Sequence, residues 1–349
     1  MRKFFILSID GGGIRGIIPS VLLSKLKSIL EKQGFNEPYH EIFDLMAGTS
    51  TGGLIALALS APLYETDGSL YDAKGGISVH KLPDLYNTLG DKVFPGSKNK
   101  IRKALRQLFI SRYSSMPFYF ILKDLFKDCT VKNALTNLLI TSFDMKTMEP
   151  VFMKRRPPAS GGDTDPDYFM VDSAFATAAV PTYFPPAYVS RKESPEDILC
   201  LIDGGVFCIN PAMSALTEAR KICPDCEYFI LSLGTGTQRE EYNIEKIKNW
   251  SSLSWISPWL GVPLISAVGE GQRISTNHMI KKLPQVTFFR FDIELEDKKG
   301  RIDDGSRENL RYLKGKAEEM ISMNLEQIES IAQIIIREKA EKSNFKPDN

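Results

Sequence analysis

Two strand–turn–helix units open the chain and constrain its fold more than any other feature. In the first, the apolar run 3–9 leads into glycine-rich residues 10–16 and then an apolar-periodic stretch over about 17–33. In the second, Ile42–Ala47 leads into a Gly/Ser/Thr-rich turn and an apolar stretch to about 60. Strands that alternate with helices predict a largely parallel sheet covered by helices. We therefore expect a three-layer α/β/α fold with a mainly parallel central sheet.

Further strand-like runs continue the sheet along the chain. They are Leu138–Phe143, Val151–Met153, Ile198–Ile202, Tyr228–Leu233 and Val286–Phe291. Residues 64–130 show turn signals but no such run, which predicts an insertion or cap over the site. An amphipathic pattern over about 307–340 predicts one long helix. We expect one catalytic domain over 1–305, with residues 306–349 forming a C-terminal amphipathic helix packed on it.

The composition is that of a globular chain without charge bias. Of 349 residues, 43% are hydrophobic, and 44 Lys plus Arg balance 43 Asp plus Glu. A protein that binds a nucleic-acid polymer usually has a basic excess, so that partner is not expected. The N-terminal apolar run is too short for a secretory signal, and Leu54–Leu63 is far shorter than the ~20 residues of a membrane span.

The cysteines give no sign of a disulfide framework or a metal site. There are five, an odd number without framework spacing, which favours a reducing compartment and a cytoplasmic location. Cys223-Pro224-Asp225-Cys226 spells C-x-x-C, but no second pair or nearby histidine completes a zinc site. We expect neither a metal nor a cofactor.

The first glycine-rich turn, residues 11–16, matches G-x-G-x-x-G between a strand and a helix. Its amides, at the positive end of a helix, favour an anion. A dinucleotide site would also need an acidic residue at the end of the second strand, where the sequence has Met46-Ala47-Gly48. A nucleotide-binding protein stays an alternative from a different class, and it would purify with a tightly bound nicotinamide or flavin.

The second turn, Gly48-Thr49-Ser50-Thr51-Gly52, matches G-x-S-x-G, again between a strand and a helix. Its glycines permit a sharp turn that projects the serine oxygen out of the sheet. The amide of Thr51 would then face a developing oxyanion. The same residues would also suit a Ser/Thr-rich helix N-cap.

A serine nucleophile needs a base, and the three histidines are poor candidates. In α/β-hydrolases the chain order is serine, acid, histidine. Only His278 has a compatible position, and it lies in no recognisable motif; His40 lies at a helix–strand connection and His80 in the insertion. The other candidate is Asp203, which ends an apolar strand before Gly204-Gly205 and could also be a turn former alone.

Together, these three motifs resemble the patatin-like phospholipase family, in its intracellular bacterial and plant type. The matched segments are Asp10–Gly16, Gly48–Gly52 and Asp203–Gly205, and Ala174–Pro181 and Ser232–Gly236 also look family-like. The resemblance covers about residues 4–240. It implies hydrolysis of ester bonds in membrane phospholipids or galactolipids by a serine–aspartate dyad without histidine.

The resemblance also implies roles for individual residues. Ser50 is the expected nucleophile and Asp203 the expected base. The expected oxyanion-hole residues are Gly11, Gly12, Gly13 and Thr51. The residues that complete the motifs are Asp10, Arg15, Gly16, Gly48, Gly52, Gly204 and Gly205. Some bacterial relatives are membrane-degrading effectors switched on by a cyclic nucleotide, and this regulated role is a further hypothesis.

An aspartate with a pKa near its usual ~3.9 is a poor base for an alcohol. Partial burial would raise the pKa of Asp203, and the positive end of the helix after Ser50 would favour alkoxide character. Arg15 is expected either to bind a lipid phosphate or to support the oxyanion loop. An exposed arginine at a helix start would explain it equally well.

Two segments could approach a membrane. Residues 98–112 carry basic residues and no acidic one, with apolar side chains at helical spacing. The basic residues expected to contact the membrane or an anionic nucleotide activator are Lys100, Arg102, Lys103 and Arg106. The second segment holds all three tryptophans, 250, 255 and 259. Both patterns are also typical of helices and loops packed on a core.

Two more alternatives keep the same site. An acyltransferase would use the dyad with an alcohol other than water as acceptor. A catalytically dead lipid-binding module would bind vesicles but fail to react with a serine-directed phosphonate. The sequence therefore predicts a peripheral, membrane-associated lipid acyl hydrolase, and the oligomeric state stays open.

Overall fold

The computed structural model describes residues 2–65, 70–93, 114–156, 165–238, 244–255, 263–296 and 299–343. Its centre is an eight-stranded sheet. The strands are β1 (Lys3–Ile9), β2 (Leu45–Thr49), β3 (Asn137–Asp144), β4 (Glu149–Arg155), β5 (Ala187–Arg191), β6 (Ser194–Asp203), β7 (Glu227–Leu233) and β8 (Val286–Phe291). Each of the five strand runs predicted beyond the opening units lies within one of these strands.

Helices flank the sheet. Those in the described residues are α1 (Ile17–Lys32), α2 (Tyr39–Ile42), α3 (Thr51–Ser60), α4 (Leu82–Val93), α5 (Ser115–Phe126), α6 (Met170–Thr177), α7 (Ala212–Ile222), α8 (Ile244–Ile247), α9 (Ser252–Trp255), α10 (Pro263–Ile280), α11 (Arg307–Met323) and α12 (Leu325–Ser343). Short 3-10 turns at Gly13–Gly16 and Gly204–Val206 lie in two of the predicted motifs.

The sheet is mainly parallel, as expected. Strands β3, β2, β1, β7 and β8 are neighbours in that order and run parallel. Strand β3 also pairs antiparallel with β4 and with β6, and β6 pairs antiparallel with β5. The antiparallel strands therefore extend one side of a parallel core.

Burial on both faces of the sheet explains the apolar run of β1. Phe5, Leu7 and Ile9 belong to a core shared with α1, α3, α6, α11 and α12, whereas Phe4 and Ile6 belong to a second core shared with α7. Successive side chains of a strand point to opposite faces, so β1 contributes to both. This arrangement confirms the three-layer α/β/α fold.

Three local features differ from the sequence-based expectation. Strand β2 begins at Leu45 because residues 39–42 form the short helix α2 behind Pro38. The single C-terminal helix predicted over 307–340 is two helices, α11 and α12, separated at Asn324. The Asn324 side chain donates to the Met320 carbonyl at 2.7 Å, a local bond that competes with helix continuation. Strand β5 was not predicted.

The insertion contributes helices to the described structure, α4 and α5, and no described residue of it joins a named strand of the sheet. The predicted basic contact residues Lys100, Arg102, Lys103 and Arg106 lie outside the described residues, as does Trp259. Trp250 and Trp255 pack edge to face with ring centroids 5.1 Å apart.

Cys223 and Cys226 form a disulfide between the end of α7 and the start of β7, a pairing that the sequence did not predict. Cys226 is buried, and Cys129, Cys200 and Cys208 are free thiols. Across the described stretches of the chain, no helix is both long and apolar enough to cross a bilayer.

Candidate active site

Strand β3 brings Ser50 and Asp203 to the same edge of the sheet. The last residue of β2, Thr49, is the register partner of Thr141 on β3. The last residue of β6, Asp203, is the partner of Ser142, the next residue of β3. Strand β2 runs parallel and β6 antiparallel to β3, so they approach this level of β3 from opposite directions, and both end there. Residues far apart in the sequence are thereby placed side by side.

Ser50 occupies a strained turn between β2 and α3. Its φ is 53° and its ψ is −125°, a conformation rare for a residue with a side chain. A Cβ on Gly48 would lie 2.2 Å from the Gly52 carbonyl, and one on Gly52 would lie 2.1 Å from the Ile9 carbonyl oxygen. The two motif glycines are therefore required sterically, and the predicted sharp turn is present.

Asp203 is buried at the end of β6, with only 4% of its surface exposed. The Gly205 amide donates to Asp203 Oδ1 at 2.7 Å. Burial raises the pKa of Asp203 to about 7, and hydrogen bonds from the Ser50 hydroxyl and the Gly205 amide oppose that rise. Gly204 is needed for close packing, since a Cβ there would lie 2.1 Å from Thr141 Oγ1. The carboxyl group is thus poised between its two protonation states near neutral pH.

The histidines, all within the described residues, lie elsewhere. His40 Nδ1 faces the Leu59 carbonyl at 3.3 Å, and burial lowers its pKa. His80 contacts Ser24 and Glu31, and His278 is exposed on the last turn of α10. No hydrogen bond joins any of them to Ser50 or Asp203 in the described structure. Asp203, whose carboxyl group accepts a hydrogen bond from the Ser50 hydroxyl, is therefore the candidate base.

The predicted oxyanion set needs one correction, at Gly11. The Gly11 amide donates to the Ile209 carbonyl at 3.0 Å, so it is not available to a ligand. The amides of Gly12 and Gly13 donate to no acceptor in the described part of the chain. Of the predicted set, Gly13 and Thr51 line the same cavity as Ser50. The candidate donors are therefore the amides of Gly12, Gly13 and Thr51.

The conformation of the glycine loop depends on contacts with distant segments. Gly13 has a φ of 56°, and a Cβ there would lie 2.4 Å from the Ile302 carbonyl oxygen. A Cβ on Gly12 would lie 2.2 Å from Thr235 Oγ1, and that hydroxyl donates to the Gly11 carbonyl at 2.7 Å. Loops after β7 and β8 thus hold the glycine loop from outside.

Arg15 supports the same loop. Its guanidinium donates to the Gln238 side chain at 2.6 Å and to the carbonyls of Gly236 and Gly300. Burial lowers the pKa of Arg15 to about 10. These contacts join the glycine loop to the segments that follow β7 and β8.

A buried ion-pair network lies behind the loop, and sequence reasoning missed it. Arg290 on β8 contacts both carboxylate oxygens of Asp10, at 2.8 and 2.6 Å, and also Asp292 at 2.6 Å. Asp292 in turn accepts from the Gly236 amide at 3.0 Å. Burial raises the pKa of Asp10 to about 6, and Arg290 opposes that rise, so the pair stays ionic at neutral pH. The available signal was a pair of charges, with Arg290 inside strand β8 and Asp292 directly after it.

An apolar cavity opens beside Ser50 and the candidate oxyanion donors. The apolar and aromatic residues that line it are Ile14, Leu54, Tyr86, Leu89, Phe118, Val180, Tyr183, Phe184 and Ile302. Three of them, Tyr86, Leu89 and Phe118, come from the insertion helices α4 and α5. Helices of the insertion thus supply part of the cavity wall.

Comparison with known proteins shows the family of the chain. A family model for patatin-like phospholipase matches residues 7–216. Patatin-like protein 1 of Arabidopsis thaliana is 32% identical over 324 residues, covering 87% of this chain and 75% of its own length. Patatin-like protein 2 of Oryza sativa subsp. indica is 28% identical over 363 residues, covering 94% of this chain and 86% of its own length.

Two further matches are a relative whose name marks it as inactive and a solved structure. A Solanum tuberosum relative named probable inactive patatin-3-Kuras 1 is 32% identical over 272 residues, covering 72% of this chain and 68% of its own length. The solved structure of VipD from Legionella pneumophila aligns with 92% of this chain and 67% of its own, at 13% identity and a TM-score of 0.37. The family model alone spans more than half of the chain, from β1 into α7. The chain therefore belongs to the patatin-like phospholipase family.

Proposed function

We propose that the chain hydrolyses ester bonds of membrane phospholipids or galactolipids, with Ser50 as nucleophile and Asp203 as base. The observation that carries this proposal is the meeting of a strained, buried serine with a buried aspartate whose pKa is raised to about 7. A carboxyl group with that pKa is a far better proton acceptor at neutral pH than an ordinary aspartate. Membership of the family supports the same class of reaction.

The reaction would proceed through an acyl-enzyme. Ser50 Oγ attacks the ester carbonyl while its proton passes to Asp203, and the oxyanion accepts hydrogen bonds from backbone amides of Gly12, Gly13 and Thr51. The alcohol portion leaves with the proton from Asp203. Water then attacks the acyl-enzyme, giving a proton to Asp203, and the fatty acid is released as Ser50 regains its hydrogen.

The cavity supports a lipid substrate. Hydrocarbon chains are bound by burying apolar surface, at roughly 25 cal/mol per Å². Leu54, Phe118 and Phe184 line the space next to Ser50, so an acyl chain would lie among them while its ester carbonyl faces the amides of Gly13 and Thr51. The same geometry would serve an acyltransferase, with a second alcohol in place of water.

A peripheral membrane contact forms part of the proposal. On α5, Phe118 faces the cavity, whereas Met116 and Phe120 are 55% and 58% exposed on the outer side. Exposed apolar side chains beside a lipid site are typical of interfacial contact. The basic residues of segment 98–112 stay a predicted contact for anionic lipid or a nucleotide activator.

The test is lipid mass spectrometry of mixed phospholipid and galactolipid vesicles incubated with the purified chain, with and without candidate cyclic nucleotides. We expect free fatty acid and lysolipid from the wild-type chain and none from Ser50→Ala. Transfer of the acyl group to an added alcohol, in preference to water, would favour the acyltransferase. Absence of all products, together with vesicle binding and no phosphonate labelling, would indicate a catalytically dead lipid-binding module.

A further inference from the structure

One short turn contacts the backbones of both Ser50 and Asp203. The Ser50 amide donates to Thr177 Oγ1 at 2.9 Å, and the Asp203 amide donates to the Ala179 carbonyl at 3.0 Å. Thr177 ends α6, and Ala179 follows two residues later. Since the Ala179 contact is made by backbone, Thr177 is the only side chain of the turn in this pair of bonds. A substitution in the turn can therefore remove the bond to the Ser50 amide, but not the bond to the Asp203 amide.

The position of Ser50 explains why its amide needs this acceptor. Ser50 is the N-cap of α3, so its amide precedes the helical hydrogen-bond ladder. It is also buried, and a buried amide without an acceptor is unfavourable. The strained φ of 53° persists only where surrounding structure determines it. The Thr177 hydroxyl supplies such a constraint at the strained residue itself.

The surroundings of Thr177 allow little adjustment. Its side chain is fully buried, and a Cβ on Gly53 of α3 would lie 2.9 Å from Thr177 Cγ2. The methyl group therefore packs against α3 at a glycine, while the hydroxyl faces the turn before it. The two branches of one threonine fix the start of α3 against α6.

We propose that Thr177 is a positioning residue for ester hydrolysis: its hydroxyl holds the Ser50 backbone so that Oγ stays aligned with Asp203. This inference rests on the proposed function. The hydroxyl acceptor is the part that this role requires. Valine would keep the packing of the methyl group and remove the acceptor. Serine would keep the acceptor and lose the methyl group.

The experiment compares Thr177→Val, Thr177→Ser and Thr177→Cys on a soluble short-chain ester. A misplacement of about 1 Å in a catalytic group can lower turnover by ~10²-fold, and we expect a fall in kcat of that order for Thr177→Val with little change in KM. Thr177→Ser should keep most of the activity, and Thr177→Cys, with a weak sulfur acceptor, should fall between them. If Thr177→Val does not fold, Thr177→Ser and Thr177→Cys still compare a strong acceptor with a weak one, because both variants lack the methyl group.

Ser173→Ala is the matched control. Ser173 lies one turn earlier on α6, is fully buried, and its hydroxyl has no hydrogen-bond partner in the described residues. This variant should keep wild-type kcat. A loss for Thr177→Ser as large as that for Thr177→Val would show that keeping the hydroxyl acceptor does not preserve turnover, and would overturn the proposal.

Hydrogen exchange at the Ser50 amide, followed by NMR, tests positioning without reference to activity. The amide should exchange slowly in wild type and Thr177→Ser and faster in Thr177→Val. A well-folded Thr177→Val protein with unchanged exchange and unchanged kcat would overturn the inference. If no variant, wild type included, hydrolyses any ester, the proposed function fails, while the exchange rates still decide whether Thr177 holds the turn.

Discussion

Arg290 contacts the Asp10 carboxylate through both terminal nitrogens, at 2.8 and 2.6 Å, joining the edge strand β8 to the start of the glycine loop. Only 2% of the Asp10 side chain and 10% of the Arg290 side chain are exposed. Breaking a buried ion pair by removing one partner leaves a charge without compensation. The loop that carries the candidate oxyanion donors therefore depends on a residue near the end of the sheet.

Arg290→Leu should destabilise the protein strongly. Loss of one partner from a buried pair typically costs about 3–5 kcal/mol of unfolding free energy. Urea unfolding followed by circular dichroism measures this cost. Arg337→Gln, which removes an arginine 63% exposed beside Glu338, is the control and should change stability by less than about 1 kcal/mol. Equal effects of the two substitutions would contradict a structural role for the Asp10–Arg290 pair.

Ser50→Ala should abolish both ester hydrolysis and labelling by a fluorophosphonate, with thermal stability nearly unchanged. The removed hydroxyl is the proposed nucleophile, and alanine keeps the backbone and the Cβ. Ser60→Ala, at the end of the same helix, is the matched control and should be labelled like wild type. Turnover by purified Ser50→Ala protein would rule out the nucleophile assignment.

Asp203→Asn should lower kcat by at least the ~10²–10⁴-fold attributed to positioned acid–base groups, because it keeps shape but removes the proton acceptor. His40→Gln, His80→Gln and His278→Gln should each keep most of the activity on a soluble ester. Steady-state kinetics on the four folded variants provides the measurement. A His278→Gln protein as inactive as Asp203→Asn would replace the dyad with a triad.

The pH dependence of activity should report Asp203. Burial raises its pKa to about 7, and only the deprotonated carboxylate can accept the Ser50 proton. We expect kcat/KM for a soluble ester to rise with pH through about 7 and then level off. A profile already flat from pH 5 to 8 would be inconsistent with this base.

The same shift predicts how stability depends on pH. In the unfolded chain Asp203 loses its proton near pH ~4, whereas the folded protein keeps it up to about pH 7. The folded state thus binds more protons between these values, so this residue's contribution to stability is lost as pH rises through them. Asp203→Asn should flatten that decline in a series of urea-unfolding measurements, and an unchanged pH slope would argue against the raised pKa.

The exposed apolar residues on the outer side of α5 should contribute to hydrolysis of lipid in vesicles and not to hydrolysis of a soluble ester. Combining Met116→Ser with Phe120→Ser should lower hydrolysis of phospholipid vesicles more than hydrolysis of a soluble ester. Leu264→Ser with Val268→Ser, two apolar residues each 47% exposed on α10, is the control and should affect neither substrate preferentially. Comparable losses in both pairs would point to general surface hydrophobicity instead of α5.

The basic segment can be tested in the same vesicle assay. The residues to neutralise together are Lys100, Arg102, Lys103 and Arg106. Attraction of ~1 kcal/mol per charge near an anionic surface predicts weaker binding to anionic vesicles, with the soluble-ester rate retained. Equal losses on both substrates would indicate a folding defect and remove the support for this contact.

The local motifs were readable from the sequence because their causes are local. The glycines around Ser50 are required by contacts within the turn and with the neighbouring strand, and Asp203 ends an apolar strand as its pattern predicted. The fold class followed from alternating strands and helices. The split at Asn324 was missed because an asparagine side chain can bond to the preceding turn without disturbing the apolar periodicity.

Features that depend on distant partners could not be predicted. The use of the Gly11 amide depends on a carbonyl at Ile209, and the environment of Asp10 depends on Arg290. The acceptor for the Ser50 amide, Thr177, comes from another helix. In each case the residue type allows several roles, and only the tertiary arrangement selects one.

The register of strand β3 with β2 and β6 sets the position of Asp203 relative to Ser50. Neighbouring side chains on a strand point to opposite faces, so a slip of one residue between β3 and β6 would turn the Asp203 side chain away from Ser50. The Ser142 hydroxyl, which donates to the Ile202 carbonyl at 2.7 Å, is a side-chain bond placed to resist such a slip. An insertion or deletion of one residue in β6 would therefore disable the site while leaving every motif intact in the sequence.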